Sequence, residues 1–123
     1  MPNVGNRFIT NSTYKFMKVT IAFAPPGGGE TNYEIQTEVP SLPRQGDYIS
    51  LRLSPGAMSS DFIVRRVRWH FDSINDNEYS SLNTVIVEAE FAIGPLSSDD
   101  HKACCSMYEA RGKIPRHIED SSY

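Results

Sequence analysis

The 123-residue sequence contains only two cysteines, and they are adjacent, Cys104 and Cys105. Neighbouring cysteines rarely pair, because the ring they would close is strained. No disulfide framework can be built, and a reducing, cytoplasmic setting is expected. No apolar run is long enough to cross a bilayer. The opening residues, MPNVGNRFITNST, lack the apolar centre of a secretory signal. Without a secretory route, the glycosylation triplet Asn11-Ser12-Thr13 loses its meaning. Neither sign of charge dominates: twelve basic residues stand against fifteen acidic ones, for a net charge of −3. That balance argues against a dedicated nucleic-acid binder while leaving room for a local basic patch. Internal repeats and low-complexity blocks are also missing.

What remains is ordinary for one globular domain, with 39% apolar and 22% charged residues, enough to bury a modest core. The chain is organised around FIVRRVRWHF, residues 62–71, which holds the only Trp. Alternation puts Ile63, Val67, Trp69 and Phe71 on one face, with Phe62, Val64, Arg66, Arg68 and His70 on the other. This stretch is expected to be a central strand with Trp69 in the core.

Four further strands are expected, over 15–24, 31–39, 48–53 and 84–93. The first is broken by Pro25-Pro26-Gly27-Gly28-Gly29. A hairpin closed around Gly27 sets Ile21 beside Tyr33, Val19 beside Ile35 and Lys18 near Glu34, Gln36 and Glu38. Prolines 40 and 43 keep the next connection out of a ladder, and Leu42 is expected to plug one end of the core. Residues 72–83 read as a polar loop. After Gly94-Pro95 the period changes. Ser97 or Ser98 can cap a helix, Asp99 and Asp100 favour its positive end, and Gly112 and Pro115 stop it. Ala103, Cys104, Met107, Tyr108 and Arg111 recur at its spacing.

The expected organisation is a flexible N-terminal arm over 1–13, one domain over 14–112 and a tail over 113–123. The fold class is all-β with one C-terminal helix. The expected architecture is a five-stranded antiparallel meander forming a small SH3-like barrel or half-open roll. A flat sheet with one helix across it is the alternative.

The run PSLPRQGDYISL at 40–51, followed by FIVRRVRW at 62–69, resembles a pattern in small SH3-like proteins of unknown function. These come from bacteria, phages and mobile elements, including integron gene-cassette products. In them a proline-arginine-glycine-acid connection enters one strand, and the next ends hydrophobic-x-x-Val-x-Trp. The resemblance covers the middle third of the chain. It implies the barrel and carries no active site.

Candidate chemistry is sparse. Gly27-Gly28-Gly29 lacks the Lys and Ser/Thr of a phosphate loop and leads into a strand, so it is read as a turn. His101 with Cys104 or Cys105 has metal-ligand spacing, but a structural zinc wants four ligands and no second cysteine pair exists. The cysteines are expected as free thiols packed under the helix. Asp99-Asp100 are dipole partners, and Asp72, Asp76 and Glu78 lack the glycine and distal glutamate of a calcium loop. No catalytic residue, metal or cofactor is assigned.

The expected function is therefore a non-catalytic interaction module, most simply a homodimer, or a module bound to another protein. The outward residues Phe62, Val64 and Ile86, with Phe16, would supply its apolar strip. The alternative is nucleic-acid or small-ligand binding on a basic, aromatic face made of Tyr48, Arg52, Phe62, Val64, Arg66 and Arg68. Against it, Glu88 and Glu90 are expected opposite Arg66 and Arg68, where they would neutralise them.

Overall fold

A computed structural model describes residues 16–73 and 80–119; the expected arm over 1–13 lies outside them. The strands are β1 (Met17–Ala24), β2 (Tyr33–Val39), β3 (Tyr48–Arg52), β4 (Ser59–Ser73) and β5 (Ser80–Ile93). A helix, α1 (Asp99–Ala110), and a two-residue strand, β6 (Arg116–His117), follow. The architecture is all-β with one helix, a curled mixed sheet that forms a half-barrel.

The meander expectation is corrected at two seams: β2 and β3 stand at opposite ends of the sheet, and β1 is joined to β5. The strand order is β2-β1-β5-β4-β3, with β6 also on β5. β1 lies parallel to β5, Ile21 opposite Val87 and Phe23 opposite Ala89. Alternation gives the faces of a strand but not its direction, so a parallel seam and an antiparallel one look alike in sequence.

The β1–β2 hairpin keeps its expected faces but closes two residues further on, with Ile21 opposite Ile35 and Phe23 opposite Tyr33. Such a shift preserves side-chain parity, and Lys18 still meets Glu38. The hairpin is centred on Gly28, whose φ of 97° is open to glycine and strained for other residues. A Cβ there would also lie 2.9 Å from the Arg65 guanidinium.

The decisive departure from simple alternation is in β4. Val64 pairs with Ala89 and Arg66 with Glu88, so Arg65 is an extra residue, a β-bulge. The bulge inverts parity. Phe62 and Val64 point inward and are fully buried, on the same side as Val67. They are core residues, and the expected outward strip of Phe62, Val64 and Ile86 does not exist. The Phe62 ring packs 4.1 Å from Phe23 and 5.0 Å from Phe91, centroid to centroid. Val19, Ile21, Val85, Val87 and Ala89 complete the sheet's contribution to the core, and Leu42 packs against it as expected.

Beyond the bulge β4 and β5 outrun the sheet. β3 covers only Ser59 to Ile63 of β4, and β1 covers only Ile86 to Glu90 of β5. The remainder, from Trp69 opposite Val85 to Ser73 opposite Ser80, is a two-stranded ribbon. Trp69, expected in the core, lies on this ribbon and is 48% exposed.

Ser98 caps α1, its hydroxyl accepting the His101 N–H at 3.1 Å, with Asp99 and Asp100 in the first turn. The helix ends on Gly112 at φ 83°. Gly112 N–H reaches Glu109 O and Lys113 N–H reaches Tyr108 O, a Schellman closure. The buried helix face is His101, Cys105 and Tyr108, whereas Ala103 and Met107 are exposed. It is rotated from the expected face because the His101 ring, rather than an aliphatic residue, seats the first turn. Tyr108 hydroxyl accepts a 2.7 Å bond from Asn32 Nδ2, tying the helix to the hairpin loop. The expected tail returns to the sheet: β6 pairs in parallel with Ala92 and Ile93, and Ile118 is buried with Ile63 and Ala92 on the outer face.

Candidate functional site

Three places could carry function, and geometry separates them. The first is a buried polar knot under the start of α1. The Asp61 carboxylate, 1% exposed, accepts hydrogen bonds from Ser50 Oγ at 2.6 Å, Ser59 Oγ at 2.9 Å and Ser97 Oγ at 2.6 Å. Ser97 Oγ in turn accepts the Gly94 N–H at 2.8 Å. His101 Nε2 lies 2.7 Å from Ala92 O and 3.3 Å from the Asp61 backbone N. One nitrogen cannot donate and accept at once. The shorter contact assigns its proton to the bond with Ala92 O. The imidazole stacks on Phe91 at 5.2 Å and 11°.

Serine, histidine and aspartate thus gather at one end of the barrel, but not as a hydrolase triad. A triad passes a proton from serine to histidine while aspartate holds the far imidazole nitrogen. Here the hydroxyls give their protons directly to the carboxylate and the histidine bonds the main chain. Ser59, Asp61, Ser97 and His101 are all buried, so no substrate reaches them. The knot joins β3, β4, the turn after β5 and the helix start. It was missed in sequence because its members read separately as a strand start, a cap and a lone histidine.

The thiols belong to the same end. Both are free. Burial pushes the Cys105 thiol up to about 12, with Cys104, Asp61 and Glu109 adding to the effect. Burial also raises Cys104, against a lowering pull from Arg111. A neutral buried thiol is inert rather than nucleophilic. Its proton is held more tightly folded than unfolded, where thiols ionise near about 8.5. Its contribution to stability is whole below that pH and declines as pH rises toward 12. The unfolding free energy from urea titration is expected to fall between pH 8 and 10.5, by about 2 kcal/mol from this residue. In Cys105→Ala the decline should be shallower; an identical pH profile would show that Cys105 does not carry it. Among the described residues no group of His, Cys, Asp and Glu is arranged to hold a metal ion.

The second place is the outer face. The expected cross-strand pair forms, Arg66 Nε to Glu88 Oε1 at 3.0 Å. The bulge adds Arg65, which binds Glu88 Oε2 at 3.0 Å and approaches Glu90 at 3.9 Å. Arg116 reaches Glu90 at 3.5 Å. Arg68 lies opposite Ile86 rather than a glutamate. The exposed residues of the expected binding face are not gathered. Tyr48 sits opposite Ile63 and Arg52 opposite Ser59, while Arg68 is nine residues further along β4 from Ser59, about 30 Å at strand rise. Phe62 and Val64 are in the core.

The third place is the ribbon. Trp69, Phe71 and Leu82 are 48%, 59% and 44% exposed. Phe71 faces Leu82, and Trp69 faces Val85 across the ladder. A groove of about 630 Å³ opens beside Trp69, with Leu42, Pro43 and Arg44 on one wall and Arg66, Val67 and Trp69 on the other. The sequence signal was present in W-H-F and on the right face, but nothing in it showed that the neighbouring strands stop short and leave that face uncovered.

Neither the protein-family models, nor the curated proteins, nor the solved structures contain a match to this chain. Among the described residues, no helix is long and apolar enough to cross a membrane.

Proposed function

We propose that the protein is a non-catalytic interaction module, cytoplasmic, that works by self-association through the β4–β5 ribbon. The observation that carries this reading is the exposure of Trp69, Phe71 and Leu82 together on one face where the covering strands stop. Each would gain on burial, at about 25 cal/mol per Å² of apolar surface, and a second copy offers the same surface back. The resemblance to small mobile-element proteins fits a half-barrel without chemistry and adds no activity.

Light scattering over a concentration series tests it. The wild type should approach twice the chain mass, and Trp69→Ser or Phe71→Ser should remain folded and monomeric. A wild type that stays monomeric at high concentration would refute it. A second reading, single-stranded nucleic acid stacking on Trp69 beside Arg44 and Arg66, is favoured by the groove. Salt-dependent binding of an oligonucleotide to the monomer, lost in Trp69→Ser, would replace the first reading with the second.

A further inference from the structure

We infer that two copies join edge to edge along β4, antiparallel, about a two-fold axis at His70, to make one continuous sheet; this rests on the self-association reading and gives it a register. β3 and the residues before it end their pairing at Val64, whose N–H donates to Asp47 O and whose C=O accepts from Gly46 N. Val64 therefore turns its main-chain groups toward β3. The extra residue Arg65 changes the alternation, so Val67, Trp69 and Phe71 present theirs to the same edge further along. Among the described residues nothing pairs with that edge from Val67 to Asp72. Protected edges are short, or carry Pro or Lys. The sequence here, Val-Arg-Trp-His-Phe-Asp, has neither, and its β-branched and aromatic residues suit a strand.

Two-fold symmetry leaves few registers, since every pair must add to the same number. Centring on His70 sets Arg68 opposite Asp72 of the second copy and Trp69 opposite its Phe71. Both contacts occur twice by symmetry. The arginine–aspartate pair falls on the outer face, and the two aromatic rings share the inner face with Leu82. Centring on Trp69 would set Arg68 against His70 and Val67 against Phe71, and would put Asp72 opposite Arg66, which Glu88 already holds at 3.0 Å. Centring on Phe71 would set Phe71 against itself, Trp69 opposite Ser73 and Asp72 opposite His70, taking the aspartate away from Arg68. Only the His70 register gives Asp72 to Arg68, which faces Ile86 within its own chain, while pairing Trp69 with Phe71; His70 then falls at a non-hydrogen-bonded site, where cross-strand side chains come closest.

Charge reversal tests the register separately from the association. Arg68→Asp and Asp72→Arg each place like charges opposite one another, and each is expected to raise the dimer dissociation constant at least tenfold. Mixing the two variants restores both pairs, so a heterodimer of near wild-type affinity should form. The double variant Arg68→Asp/Asp72→Arg should recover as well. His70→Cys should cross-link on mild oxidation into a covalent dimer, with the wild type, which keeps Cys104 and Cys105, as control. If the wild type dimerises while both single variants match it and the mixture gains nothing, the edge pairing is overturned and the self-association reading stands. If the wild type is monomeric throughout, both fall.

Discussion

Asp61→Ala is expected to destabilise the protein by about 3–5 kcal/mol, the cost of removing one member of a buried charged or hydrogen-bonded group and leaving the others without it. The carboxylate is the common acceptor for Ser50, Ser59 and Ser97. Ser59 and Ser97 are themselves buried, so neither can turn to water when it is lost. The change also loosens the turn that Ser97 holds through Gly94 and the seat of the capped helix beside it. Against a typical total of about 5–15 kcal/mol, this is a large fraction. A fall in Tm of roughly 10 °C or more is the expected reading in a thermal melt. Asp61→Asn keeps the size and one acceptor oxygen and should fall between the two. A raised Tm in Asp61→Ala would mean the opposite, a carboxylate held at the expense of stability, as active sites hold theirs. The knot would then have to be reconsidered as a site.

The sheet's residues were legible wherever two-residue alternation ran unbroken. β1 and β2 show the expected faces even though their register moved, because a shift of two leaves every side chain where it was. The Arg66–Glu88 pair followed from the same logic. The reading failed where one residue was inserted. Nothing in Val64-Arg65-Arg66 announces a bulge, and a single extra residue exchanges the faces on either side of it. Extrapolating alternation back from Trp69 therefore put Phe62 and Val64 outside; Trp69 keeps its inner face but is exposed because β1 and β3 stop before it. The parallel seam between β1 and β5 was hidden for a different reason: pairing direction depends on how 25–80 crosses the sheet, a long-range matter of topology. The polar knot was hidden for a third. Its serines, aspartate and histidine come from four separate segments, and no local spacing links Asp61 to Ser97 or His101. These failures are linked in function. The apolar surface anticipated on Phe62 and Val64 is replaced by one on Trp69 and Phe71, further along the same strand.

That displacement makes two lysine substitutions in one strand the sharpest test of the bulge. Val64→Lys and Trp69→Lys lie five residues apart on β4, and unbroken alternation would put them on opposite faces with Trp69 inside. In the structure Val64 is fully buried opposite Ala89, and its N–H and C=O are bonded to the connection before β3. A lysine there must either bury its ammonium, at several kcal/mol, or break the strand to reach water. Val64→Lys is expected to be unfolded or molten at 25 °C, with lost near-ultraviolet dichroism and early cleavage by protease. Trp69 is half exposed at the groove mouth, so a lysine can lay its stem along Val67 and keep its charge in water. Trp69→Lys is expected to stay folded, within about 1–2 kcal/mol of wild type, and to lose self-association. Matched denaturant titrations decide between the arrangements. A stable, cooperative Val64→Lys would refute the inverted parity and restore the outward strip. If Trp69→Lys collapsed as fully as Val64→Lys, Trp69 would be covered in the folded monomer, and the ribbon could not be the surface on which a second copy docks.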